Sequence, residues 1–175
     1  MKNKTIKQLV VNAMYITLLV VSSFISIPIN QIPYTLQTLI VFIILILINY
    51  KNSILIFIIY LIMGLIGLPV FSGFTSGITP TLGFIIGFVL SPIIYILVDK
   101  LIKIKNEQVK QFINCFISLI CIDIIGMLFY AIYFDYTILA SIVLCIVPYI
   151  LIDILKIIIA IIITKRLKVI INKEI

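Results

Sequence analysis

Residues 148–159 read PYILIDILKIII. Ten of these twelve residues are apolar or aromatic, and the other two are Asp153 and Lys156, three apart. A charged side chain inside so apolar a run costs on the order of 3 kcal/mol even on forgiving membrane-insertion scales. The run makes sense as part of a transmembrane helix that keeps two charges for a reason.

The whole chain supports a membrane reading. Of its 175 residues, 64% are hydrophobic and 11% are charged, whereas a soluble domain carries about 25% charged residues. Such a chain cannot cover a water-facing surface with polar groups, so it reads as a single integral membrane domain spanning residues 1–175. The net charge of +7 does not point to nucleic acid. The basic residues cluster at the ends of apolar runs, where they orient membrane helices. Cys115, Cys121 and Cys145 all lie inside apolar runs without ligand spacing, which suits packing. There is no histidine, the commonest metal ligand and general base. The start, MKNKTIKQLVVNAMYITLLVV, is basic and then apolar for long enough to span. No A-x-A cleavage site follows it, so it reads as a retained first helix.

A spanning helix takes about 20 apolar residues, with a range of about 17–25. Six segments are expected to be helical spans: 9–27, 34–48, 53–68, 82–98, 112–132 and 138–164. IPINQIP forms a proline-flanked loop after the first. PVFSGFTSGITPT, residues 69–81, forms a long uncharged loop before the fourth. Numbering the loops alternately puts Lys2, Lys4, Lys7, Lys51, Lys100, Lys103, Lys105, Lys110, Lys165, Arg166, Lys168 and Lys173 on one side. The other side holds Asp135 and no lysine or arginine. The basic side is expected to be cytoplasmic, with both termini there and the 69–81 loop outside. No internal repeat of the inverted-transporter kind stands out.

Several residues are candidates for chemistry. Tyr149, Asp153, Lys156 and Ala160 fall at i, i+4, i+7 and i+11, one helical stripe. As structure, Asp153 and Lys156 would be a self-neutralising pair that packs the bundle. As function, they would line a polar ligand site within it. Asp123, in CIDIIGMLFY, shares a face with Gly126, Met127 and Tyr130. It suits either a packing hydrogen bond or a site role. TLQTL brings Thr35, Gln37 and Thr38 to the outer end of the second helix, either to bond across helices or to line a site opening outward. Gly83, Gly87 and Ser91 make a small-residue row, and Ala13 and Thr17 a weaker one. No phosphate-binding G-x-x-x-x-G-K-[ST] loop, nucleophile elbow, H-E-x-x-H or carboxylate cluster is present. The chain therefore carries no nucleotide motor of its own, and a membrane enzyme is disfavoured.

Five segments carry a resemblance: IPYTLQTLIVFIILILI, YLIMGLIGLPVFSG, SGITPTLGFIIGFVLSP, CIDIIG and VPYILIDILKIIIAIIITKRL. Together they closely resemble the BioY family, the biotin-binding substrate (S) components of energy-coupling-factor (ECF) vitamin transporters. The most specific pieces are PYTLQTL, GLIGLPVFSG and the Pro148…Asp153-x-x-Lys156…Ala160 pattern. The resemblance implies an all-α integral membrane bundle of six transmembrane helices, in a bacterial cytoplasmic membrane. It implies biotin as transported ligand, no cofactor, and capture from outside under a lid loop. It also implies work with a membrane coupling protein and ATPase subunits that alone use ATP. Asp153 and Lys156 match the family's biotin-site positions. Gln37, Tyr149, Thr35, Thr81, Phe84 and Asp123 complete the expected site. The family usually reads near GPTGGY before the fourth helix. Here TPTLGF stands at 79–84 after a shorter loop, with Phe84 for a tyrosine, and Ile152 stands where glycine is usual before the aspartate. The alternatives are the same fold serving another small vitamin or carboxylate, and a structural membrane subunit whose charged pair only packs helices.

Overall fold

The computed structural model describes residues 2–29 and 32–171. Lys173 of the basic tail and residues 30 and 31 of IPINQIP lie outside the described residues. In chain order come α1 (Lys2–Phe24), β1 (Ser26–Ile29), β2 (Ile32–Thr35), α2 (Gln37–Leu47) and α3 (Tyr50–Leu65). A single 3₁₀ turn (Ser72–Phe74) follows, then α4 (Leu82–Leu101), α5 (Glu107–Phe134), α6 (Ile138–Cys145) and α7 (Ile150–Ile171).

Local chemistry sets the helix starts. Asn49 caps α3 by accepting from the Asn52 amide. Asn106 caps α5 by accepting from the Gln108 and Val109 amides. Thr137 caps α6 by accepting from the Ala140 amide. Each satisfies helix N–H groups that have no partner within the helix. At the far end of α5, Asp135 takes the left-handed conformation that commonly closes a helix. Asp99 of α4 binds Lys110 at 2.8 Å and accepts from the Asn114 side chain at 2.8 Å, tying the basic ends of α4 and α5 together.

Four expectations shift. The first helix stops at Phe24 rather than running to 27. IPINQIP contributes to an antiparallel hairpin, not an irregular loop, with Ser26 opposite Thr35 and Ile27 opposite Tyr34. Tyr34 and Thr35 accordingly belong to a strand, and α2 begins only at Gln37. Pro28 and Pro33 explain the delay, since proline has no N–H for a helix and biases the residue before it towards extended backbone. The expected helix over 138–164 is two helices, α6 and α7, bent by 48°. Pro148 sits in the break and again withdraws an amide donor.

Pro92, inside α4, does not break that helix. It leaves the Phe88 carbonyl without its usual amide, and the Ser91 hydroxyl donates to that carbonyl at 2.8 Å. The small-residue row has a matching role. A Cβ on Gly87 would strike the backbone of Ile122, and one on Gly83 would strike the Phe129 side chain. Gly126 offers the reciprocal notch, filled by the Phe84 ring. α4 and α5 are therefore in close backbone contact. The core lies between helices, with Val41, Phe42, Ile44, Phe57, Tyr60, Ile122, Ile157 and Ala160 all buried.

α1 from Ile6 to Phe24, α4 and α5 are each long and apolar enough to cross a membrane, and the bent α6–α7 pair makes a fourth. The chain is a multi-pass membrane protein with an all-α fold apart from one short hairpin. α2 and α3 are shorter apolar helices, of 11 and 16 residues.

Candidate functional site

α2 has 11 residues, about 16 Å at 1.5 Å per residue, roughly half a hydrocarbon core. Its first residue, Gln37, is buried among the other helices. Strand β2 precedes it there, and α7 packs beside it. The polar cluster of the protein forms at this junction.

Lys156 sits at the centre. Its Nζ donates to Asp153 Oδ1 at 2.9 Å, to Thr38 Oγ1 at 2.7 Å and to the Thr35 carbonyl at 2.8 Å. An ammonium has three N–H donors, and all three are engaged. The same nitrogen lies 4.0 Å from the centre of the Tyr34 ring, a cation–π contact. Thr38 donates to Asp153 Oδ1 at 2.8 Å while accepting from Lys156, which closes a three-membered ring of bonds. Asp153 and Lys156 are only 6% and 5% exposed, so each charge depends on the other. An ion pair this deep gains little over an apolar pair, but losing one member strands the other at a cost of about 3–5 kcal/mol.

Tyr149 stands one turn before Asp153, just past the Pro148 break. Its hydroxyl donates to the Ile32 carbonyl at 2.6 Å, and its ring stacks on Tyr34 at 6.0 Å. The break thus lets α7 reach the hairpin. Gln37 donates through Nε2 to the Tyr60 hydroxyl, which donates to the Val70 carbonyl at 2.9 Å. Ser23 of α1 donates to the same carbonyl at 2.8 Å. This chain of bonds runs from the site to the loop after α3. Phe71 of that loop is buried against Tyr60 and lies where Gly64 leaves no room for a Cβ. Phe74 stacks on Phe24 at 4.2 Å.

All eight residues singled out from the sequence line one cavity. Thr35 and Gln37 come from the β2–α2 junction, Thr81 and Phe84 from the start of α4, Asp123 from α5, and Tyr149, Asp153 and Lys156 from α7. Ser72 of the loop lines it as well. Thr81 shares a hydroxyl hydrogen bond with Thr79 at 3.1 Å. The sequence reading grouped Thr38 with Thr35 and Gln37 as a polar set that could line a site, though Thr38 was left out of the expected biotin site, and it did not single out Tyr34. Nothing local marked Tyr34 as the ring beneath the lysine.

The BioY family model matches residues 1–173. The chain belongs to the BioY family. Among curated relatives, the biotin transporter BioY of Thermotoga maritima is 29% identical over 166 residues, covering 93% of this chain and 96% of that protein. The probable biotin transporter BioY of Pyrococcus horikoshii is 30% identical over 166 residues, with the same coverage. The probable biotin transporter BioY of Lysinibacillus sphaericus is 34% identical over 117 residues, covering 65% of this chain and 58% of that protein. The solved S-component for biotin from an ECF-type ABC transporter superposes with a TM-score of 0.85 at 24% identity, covering 96% of this chain and 94% of that one. The BioY-family chain therefore has the fold of an S component.

Proposed function

We propose that this chain takes up biotin as the substrate-capturing membrane subunit of an ECF-type transporter, a transport subunit rather than an enzyme. One observation carries the reading. In a member of a family whose curated relatives are named biotin transporters, the eight residues expected from the sequence, from four parts of the chain, line one cavity. On this reading biotin enters from outside. Asp153 and Gln37 hold its polar groups, for which charge-assisted hydrogen bonds are the strong kind, and Lys156, with its three donors on the protein, holds Asp153 in place. Tyr149, Phe84 and the surrounding apolar wall hold its rings, with Thr35, Thr81 and Asp123 completing the cavity. The 69–81 loop closes over the bound vitamin.

The chain makes six passes through a bacterial cytoplasmic membrane, with both termini inside. α2 and α3 complete their passes with the hairpin and the loop after α3. Irregular backbone is tolerated at that depth where it lines a cavity. A membrane coupling protein and ATPases supply the energy, and part of their contact falls on α1, with Ala13 and Thr17.

The test is titration of the detergent-solubilised chain with biotin beside Lys156→Ala. Tight binding by the wild type, lost in the variant, is the expected result. A folded wild type that does not bind biotin shifts the ligand to another small vitamin or carboxylate.

A further inference from the structure

The hydrogen-bond inventory of the cavity is lopsided. Lys156 has all three donors engaged with the protein, and the Thr38 hydroxyl is engaged twice. Thr35 Oγ1 donates to Gln37 Oε1 at 3.3 Å. Asp153 uses only Oδ1 in the described bonds, through Lys156 and Thr38. Asp123, on α5, lines the cavity at 9% exposure, and no hydrogen bond or ion pair reaches its carboxyl among the described residues. The side chains with acceptor capacity left for a ligand are thus the two carboxyl groups, Asp153 through Oδ2 and Asp123 through both oxygens. The donors that remain are neutral: the second amide N–H of Gln37, the hydroxyls of Ser72 and Tyr34, and that of Thr81 when Thr79 donates to it.

A buried carboxyl group without a partner either keeps its proton or bears a large cost for its charge. A ligand that brings N–H donors removes that cost. Two acceptors on different helices, with a neutral donor nearby, complement a planar head bearing two N–H groups and one carbonyl, which is a cyclic urea. We propose that Asp123 contacts the ligand: it accepts one N–H of the urea-type head from the α5 wall while Asp153 accepts the other from α7. This rests on the biotin reading above and adds to it the residue that makes the cavity select two-donor heads. An anionic tail is excluded from the carboxylate end and lies towards the 69–81 loop.

The experiment compares biotin with 2-iminobiotin, in which a guanidinium replaces the urea, at a pH where the guanidinium is charged. Both are titrated against the wild type and Asp123→Asn. The expected result is an affinity for biotin at least tenfold lower in the variant, and a fall for 2-iminobiotin at least tenfold larger again, because a cation loses more when the carboxylate becomes an amide. The ratio of the two affinities still reads out if Asp123→Asn folds less well, since a folding defect scales both alike. Equal affinities for both ligands in wild type and variant, or a common loss with an unchanged ratio, overturn the proposal and leave Asp123 as a packing residue that carries its own proton. A folded wild type that binds no biotin overturns the functional reading, and this proposal with it.

Discussion

At the scale of single residues, the ring formed by Asp153, Lys156 and Thr38 ties stability to the proposed recognition of the ligand. Lys156 is held by three hydrogen bonds and the Tyr34 ring. Its geometry therefore survives the loss of any one contact better than its charge balance does. Asp153→Asn keeps the side-chain shape and an oxygen for Thr38, but it removes the counter-charge. The variant is expected to fold with a lower unfolding temperature, and to bind biotin at least a hundredfold more weakly by calorimetric titration. Unchanged affinity in Asp153→Asn would move the site elsewhere. The aspartate and lysine were legible in the sequence because charge is conspicuous in an apolar run. Thr38 was legible only as one of several polar residues in TLQTL, and Tyr34 not at all, because a hydroxyl or an aromatic ring is ordinary there. Their importance comes only from contacts between residues more than a hundred positions apart, such as Thr38 with Asp153.

At the scale of elements, the close packing of α4 on α5 supports both Asp123 and Phe84. With Gly87 against the Ile122 backbone and Phe84 seated on Gly126, the two helices have no slack to admit a methyl group. Gly87→Val is therefore expected to destabilise the protein by about 1–3 kcal/mol, the usual range for overpacking, read as a drop in thermal-unfolding midpoint. It should also weaken biotin binding, because Asp123 lies one residue from the point of impact. A midpoint equal to wild type would mean that the helices separate freely. The small-residue row announced this interface in the sequence. The hairpin and the α6–α7 break were harder to read, because apolar residues continue through both and hydrophobic runs alone do not separate strand from helix. The prolines at 28, 33 and 148 were the physical signals that favoured the outcome.

At the scale of the whole molecule, two kinds of information meet. Helix length credits three or four helices with full spans, because α2 and α3 reach only about 16 Å and 24 Å at 1.5 Å per residue. The charges argue for more passes, since twelve of the thirteen basic residues fall on one side only if the chain crosses six times. On the proposed six-pass topology the hairpin's extended backbone completes the pass of the short α2, whose polar first turn meets Lys156 and Asp153. Labelling tests this directly. In a background with its three cysteines replaced, Ile78→Cys, 70% exposed in the 69–81 loop, should react with a membrane-impermeant maleimide in intact cells. Lys105→Cys, exposed between α4 and α5, should react only after lysis. Labelling of both from the same side would remove the six-pass topology and the outward-facing lid together. It would leave the cavity intact but require the ligand to reach it from the cytoplasm.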